Sequence, residues 1–105
     1  IDPAEIEAAL LRHPSIAEAV VVAVPEAKLG EQACAVCRLF PGAAPLDLSQ
    51  VVDHVSALGL TRKKWPEHLV LVDRMEVTST GKLDKKAMAQ IAVASLQSSS
   101  GNPIV

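Results

Sequence analysis

The apolar stretch AVVVAV at residues 19–24, closed by Pro25, decides the fold. It is rich in β-branched residues and apolar on both faces, which is typical of a strand covered from both sides. A polar connection follows it, and residues 32–40 form a second alternating apolar segment. So short a connection predicts an antiparallel hairpin. The alternation of the second strand predicts one face carrying Ala33, Ala35, Cys37 and Leu39, and another carrying Cys34, Val36 and Arg38.

Helical patterns lie on either side of this hairpin. The first helix is predicted to begin at Asp2, with Pro3 in its first turn, and to stop at Pro14. The second is predicted to be capped by Asp47 and to end at Gly59. A third strand over 67–73 and a last helix over about 83–96 complete the order α-β-β-α-β-α. This order predicts an α+β fold, with a small, mainly antiparallel three-stranded sheet flanked by helices. We expect one domain over 1–97 and a flexible tail over 98–105.

Composition limits the classes of function. The chain has 105 residues, half of them hydrophobic but only 2% aromatic, so the core must consist of Val, Leu, Ile and Ala. A net charge of −2 gives no basic field for nucleic acid. No apolar run approaches the ~20 residues of a membrane span, and no signal peptide is recognisable. A helix that starts directly at the first residues, with no initiator Met, suggests a piece of a longer protein.

Neither the cysteines nor the histidines form a metal-binding pattern. Cys34 and Cys37 have CxxC spacing, but residues three apart in a strand point to opposite faces, so we predict a structural role and a reducing, cytoplasmic location. We interpret His13 as a residue at the end of the first helix. We expect His54 to lie on the polar side of the second helix, exposed to solvent.

Two polar segments are candidates for function. Arg62, Lys63 and Lys64 stand beside Trp65 and would either contact phosphates or form a solvated basic turn whose Trp packs on the domain edge. The segment TSTGKLDKK at residues 78–86 is a small-polar loop with one Gly and one Lys that opens into a helix. A surface lysine after glycine is by itself a weak indication of chemistry.

The chain resembles the C-terminal domain of adenylate-forming enzymes, over residues 1 to about 96. This superfamily includes acyl- and aryl-CoA synthetases, adenylation domains of nonribosomal peptide synthetases, and luciferase. Each matching segment is short, but their order and spacing together are specific. The segments are DPAEIEAAL at 2–10, His13-Pro14, AEAVVV at 17–22, Val24-Pro25 followed by Gly30-Glu31, and STGKLDKK at 79–86.

The resemblance implies a mobile lid on a larger N-terminal adenylation domain. That domain would carry the phosphate loop, most of the ATP site and the carboxylate pocket, and the hinge motif would lie before Ile1. The implied substrates and cofactors are a carboxylic acid, ATP with Mg²⁺, and either CoA or the pantetheine of a carrier protein. No metal site is expected in this chain, and the chain alone is expected to be inactive.

The resemblance also assigns Lys82 as the catalytic lysine of adenylation. An ammonium group delivered where the carboxylate meets the α-phosphate of ATP would stabilise the negative charge that gathers there. A loop on a moving lid can deliver it only when the site closes, and Gly81 would let the backbone approach closely.

In the second half-reaction the family's lid rotates and presents another face for thioester formation. The implied contacts on that face, with the pantetheine tunnel and with CoA phosphates, are Ala23, Gly30, Glu31, Arg62, Lys63 and Lys64. Two positions depart from the family pattern. Many members carry Gly where Ala23 stands, and many carry Pro where Glu76 stands, so we expect a less rigid entry to the loop.

Three functions therefore stay open. The first is an acyl- or aryl-CoA ligase. The second is an enzyme that adenylates an aryl or amino acid for a carrier protein. The third is a non-catalytic α+β interaction module.

Overall fold

The computed structural model describes residues 2–26, 28 and 30–100, with the backbone alone for 98–100. The α+β class and the element order are as predicted. The elements are α1 (Pro3–Leu11), β1 (Ile16–Glu26), β2 (Gly30–Leu39), α2 (Leu48–Ala57), a 3₁₀ turn (Arg62–Lys64), β3 (His68–Leu71) and α3 (Lys85–Ser100). In the described part of the chain, no helix has the length and apolar character needed to cross a membrane.

The sheet has the order β1-β2-β3, with the hairpin as its longer pairing. β1 and β2 pair antiparallel from Ile16–Leu39 to Glu26–Gly30, which confirms the predicted hairpin. The pairing continues past Pro25, which was expected to end the strand. A proline is tolerated there because β1 is an edge strand and one side of its backbone needs no sheet partner. β3 pairs parallel to β2, so the sheet is mixed.

Helices cover both faces of the sheet, and the core has two parts. On one face Ile6 and Leu10 of α1 and Val51 and Val55 of α2 pack on the odd-numbered strand residues such as Ala35. On the other face Met88 and Ala92 of α3 pack on the even-numbered residues. The predicted alternation of β2 is confirmed, since Ala33, Ala35 and Cys37 lie in the first cluster and Cys34 and Val36 in the second.

The two cysteines are free thiols with no exposed surface, on opposite faces of β2. Burial raises the pKa of Cys34 to about 11 and that of Cys37 to about 12. Thiols with such pKa values are poor nucleophiles at neutral pH. Their structural role is therefore that of small core residues.

The prediction that His54 is solvated is wrong. Its Nε2 donates a hydrogen bond to the Ala9 carbonyl at 2.7 Å, and its ring packs edge-on against His13 with centroids 4.9 Å apart. The reason is that α2 crosses the last turn of α1, where carbonyls still accept additional hydrogen bonds. His54 thus ties the two helices together.

The last elements differ from prediction at their ends. β3 is shorter than the predicted 67–73, and its last residue, Leu71, is 39% exposed. Glu67 lies outside β3, but it remains beside β2, because its carboxylate accepts the Ala33 N–H at 2.8 Å. α3 begins at Lys85 rather than Leu83 and continues to Ser100, beyond the predicted Leu96. Ile1 and residues 101–105 of the predicted tail lie outside the described residues.

Candidate functional site

The loop that carries Lys82 is closed by its own backbone. Val77 and Leu83 form an isolated antiparallel bridge at its base. The Thr78 N–H donates to the Lys82 carbonyl at 2.7 Å, and the Gly81 N–H donates to the Thr78 carbonyl at 2.9 Å. Gly81 has a φ of +86°, the left-handed conformation that glycine adopts without strain. The turn therefore presents Lys82 from a defined backbone position.

The base of this loop is fastened to α3. The Asp84 N–H donates to the Glu76 carbonyl at 2.9 Å, and the Asp84 carboxylate accepts the Ala87 N–H at 3.0 Å, which caps the helix. The Glu76 N–H points to the Met88 sulfur at 3.2 Å. A proline at position 76 has no N–H and could not make that contact. Glu76, which stands where many family members carry Pro, therefore attaches the base of the loop to α3.

The Lys82 side chain is exposed, and it has no ion-pair partner among the described residues. Large apolar side chains are exposed on the same loop and on the groove beside it, since Val77 pairs with Leu83 and Leu83 shares a groove with Leu11. Val77 is 58% exposed, Leu83 is 38% exposed, and Leu11 of α1 is 49% exposed. An uncompensated ammonium on a loop with an apolar border is suited to binding an anion from which water has been excluded.

An apolar groove of about 270 Å³ begins at Leu83 and runs to the start of β1. Its lining residues are Leu11, Ala17, Glu18, Ala19, Met75 and Leu83. Lys82 is therefore presented beside the first half of β1.

The hairpin residues lie at the opposite end of β1. Glu31 pairs with Pro25 and Gly30 with Glu26, two and three positions beyond Ala23 on the same ladder. Ala23 and Glu31 line a shallow pocket of about 300 Å³ with Pro3 of α1. At ~3.3 Å per strand residue, Ala17 beside the loop and Ala23 in this pocket are roughly 20 Å apart. The structure therefore brings Ala23, Gly30 and Glu31 together, but not with Lys82.

The basic turn is largely engaged within the domain. Lys64 pairs with Glu5 of α1 at 2.8 Å, and this hydrogen bond and charge raise the pKa of Lys64. The Arg62 guanidinium lies 5.7 Å from the centre of the Trp65 ring. The Trp65 indole N–H donates to the Leu60 carbonyl at 2.8 Å, and its partly buried ring packs against the core. Lys63 is exposed.

Sequence reasoning missed Glu7 and Lys85 as a pair. The Glu7 carboxylate accepts the Val21 N–H at 2.8 Å and lies 3.2 Å from the Lys85 ammonium. The available indication was a carboxylate between Ile6 and Ala9, beside the buried stripe of α1. The partners could not be inferred, because they are far from Glu7 in the sequence.

Comparison with known proteins assigns the family. A model described as "AMP-binding enzyme C-terminal domain" matches residues 5–82, a match that ends on the candidate lysine. The chain belongs to this family, and its predicted resemblance to C-terminal domains of adenylate-forming enzymes is confirmed.

The relatives of this chain include adenylate-forming enzymes of different kinds. The chain is 38% identical over 85 residues to a medium-chain fatty-acid–CoA ligase of Escherichia coli, covering 81% of this chain and 15% of that one. It is 36% identical over 91 residues to a Streptomyces salicylyl-CoA synthase / salicylate adenylyltransferase, covering 87% and 16%. The ATP-bound crystal structure of MatB from Rhodopseudomonas palustris superposes with a TM-score of 0.81 at 27% identity, covering 89% and 18%.

The chain thus spans less than a fifth of the length of these relatives. They are similar to it only in the part that corresponds to this domain.

Proposed function

We propose that this chain is the mobile C-terminal domain of an ATP-dependent acid–CoA ligase and supplies Lys82 to the adenylation step. The observation that carries the proposal is an exposed ammonium without an ion-pair partner among the described residues, held on a closed glycine turn within an apolar border. Membership of the AMP-binding C-terminal family supports the assignment.

The proposed chemistry starts with attack of a substrate carboxylate on the α-phosphate of ATP, which expels pyrophosphate. Negative charge gathers on the phosphoryl oxygens and the approaching carboxylate. Lys82 would enter between them and stabilise that charge, most strongly where closure excludes water. Val77, Leu83 and Leu11 would provide the water-excluding contact, since all three are apolar and exposed beside the loop. We assign the Mg²⁺ that accompanies ATP to the N-terminal domain and to the phosphates themselves.

The hairpin end of β1 would serve the second half-reaction, in which the CoA thiol attacks the acyl adenylate and displaces AMP. The Ala23–Glu31 pocket is shallow and offers a wall for a pantetheine arm. Lys64 of the basic turn pairs with Glu5, and Glu5 lies in the first turn of α1 with Pro3, which lines this pocket. The basic turn therefore borders the hairpin end of β1. Lys63 and Arg62 are the cations that we assign to CoA phosphates.

The experiment that tests the proposal is Lys82→Ala in the full-length protein. We expect carboxylate-dependent pyrophosphate exchange to fall about 100-fold or more, because a charge aimed at the transition state is removed. The matched control is Lys86→Ala, which removes another exposed lysine four residues away on α3 and should leave the exchange rate unchanged. Full exchange activity in Lys82→Ala would refute the catalytic role.

The alternative acceptor is a carrier-protein pantetheine. Similarity to a protein named salicylyl-CoA synthase / salicylate adenylyltransferase favours keeping it as the second candidate. A panel of carboxylic acids assayed with free CoA and with carrier protein separates the two, since only the true acceptor should release AMP stoichiometrically with thioester.

A further inference from the structure

Glu7 joins three elements of the domain at one carboxylate. Its Oε2 accepts the Val21 N–H of edge strand β1 at 2.8 Å and pairs with the Lys85 ammonium of α3 at 3.2 Å. The Glu7 side chain is 20% exposed, whereas that of Lys85 is 53% exposed. The charge of Glu7 is therefore fixed in place by a backbone donor and by packing, and Lys85 is the partner that reaches to it.

Lys85 is poorly placed for helix stability alone. It is the first residue of α3, where the partial positive charge of the helix terminus disfavours a cation. Exposed ion pairs generally contribute little, but this one connects to a carboxylate that already has a fixed position. The pair therefore locates the start of α3 relative to α1 and β1 rather than strengthening the helix.

The start of α3 is continuous with the Lys82 loop. Asp84 caps the helix and bonds back to the Glu76 carbonyl, Leu83 is bridged to Val77, and the Lys82 carbonyl accepts the Thr78 N–H. Both residues between Lys82 and Lys85 are thus bonded to the segment that precedes the loop. A displacement of Lys85 would therefore reach Lys82, three residues earlier, through this bonded segment.

We propose that Glu7 is a positioning residue for adenylation, which acts through Lys85 to set where the Lys82 loop presents its ammonium; this rests on the proposed function. Glu7 itself touches no substrate. A misplacement of catalytic groups by about 1 Å can reduce rates up to about 100-fold. Loss of the pair should thus affect the step that uses Lys82, and not the step assigned to the hairpin end.

The test uses Glu7→Gln in the full-length protein. Glutamine keeps the side-chain length and an oxygen for the Val21 N–H, but it lacks the charge that holds Lys85. We expect kcat of pyrophosphate exchange to fall about tenfold with little change in KM. Thioester formation from preformed acyl adenylate should keep its rate. Amide hydrogen exchange at Thr78, Gly81 and Asp84 should become several-fold faster, a readout that needs no activity.

Lys85→Met should lower the rate of pyrophosphate exchange as Glu7→Gln does, and Lys85→Arg, which keeps the charge, should keep the wild-type rate. The control is Glu5→Gln, which removes the charge of another α1 carboxylate, the one that pairs with Lys64 at 2.8 Å. It should leave the rate of pyrophosphate exchange and the amide exchange of the Lys82 loop unchanged.

The outcomes separate the two claims. If Lys82→Ala stays fully active, the proposed function is overturned and the positioning role with it. If Lys82→Ala is inactive while Glu7→Gln matches Glu5→Gln in rate and amide exchange, only the positioning role is overturned. Equal losses in both half-reactions together with a lowered melting temperature would make Glu7 a merely structural residue and would also overturn it.

Discussion

At the scale of single residues, the two most informative positions are Gly81 and His13. Gly81 has a left-handed backbone, yet a Cβ placed on it would meet nothing within 4 Å. The requirement for glycine within this domain is therefore conformational and not steric. His13 uses its Nδ1 to accept the Ser15 N–H at 3.0 Å, so its neutral form is built into the end of α1.

Gly81→Ala should strain the turn that presents Lys82. Forcing alanine to a φ of +86° costs on the order of 1–2 kcal/mol. Gly42→Ala is the matched control, since Gly42 has a φ of +82° with equally open surroundings but lies in the loop after β2. We expect chemical denaturation to show similar destabilisation in both variants. Only Gly81→Ala should also slow pyrophosphate exchange; equal rates in the two variants would contradict the role assigned to the turn.

Stability should fall in mild acid because of His13. Burial, and then the nearby His54, lower the pKa of His13 in the folded state below its usual 6.5. Below pH ~6.5 the unfolded chain therefore binds more protons than the folded one, so the free energy of unfolding decreases as the pH falls toward the folded-state pKa. The slope for one such group stays under about 1.4 kcal/mol per pH unit. Urea unfolding between pH 7.5 and 5 measures it, and His13→Gln should flatten the curve; an unchanged curve would rule His13 out as its source.

At the scale of elements, local patterns were predictable and distant pairings were not. The capping of α2 by Asp47 and the alternation of β2 depend on neighbours within a few residues, and both are confirmed. The exposure of His54 was predicted wrongly because its partner is the Ala9 carbonyl on another helix. The Glu7–Lys85 pair was missed for the same reason. Lys82 could be proposed only through family resemblance, since a lysine after glycine carries little information by itself.

The capping box of α2 should contribute measurably to stability. The Asp47 carboxylate accepts the Gln50 N–H at 2.8 Å, and the Gln50 side chain accepts the Asp47 N–H at 2.9 Å. Asp47→Ala should lower the free energy of unfolding by about 1 kcal/mol. Asp53→Ala, an exposed substitution within the same helix, should have a much smaller effect. If both variants unfold at the same denaturant concentration, the cap contributes nothing.

At the scale of the whole molecule, the candidate surfaces lie at opposite ends of one strand. The Lys82 loop and its groove adjoin Ala17, and the shallow pocket contains Ala23, roughly 20 Å further along β1. Helices fixed on both faces of one sheet hold the two ends at this separation, so a single orientation of the domain toward an active site would present only one of them. This geometry supports the proposed rotation between half-reactions.

The two ends should therefore respond separately to substitution. Ala23→Leu fills the shallow pocket and should slow thioester formation from preformed acyl adenylate about tenfold, while pyrophosphate exchange keeps its rate. Lys82→Ala should give the opposite pattern, because the loop is remote from the hairpin. Ala44→Leu, at an exposed position in the loop before α2, controls for added bulk and should change neither rate. If Ala23→Leu slowed both half-reactions equally without loss of stability, a single shared surface would explain the data better than two ends of a rotating domain.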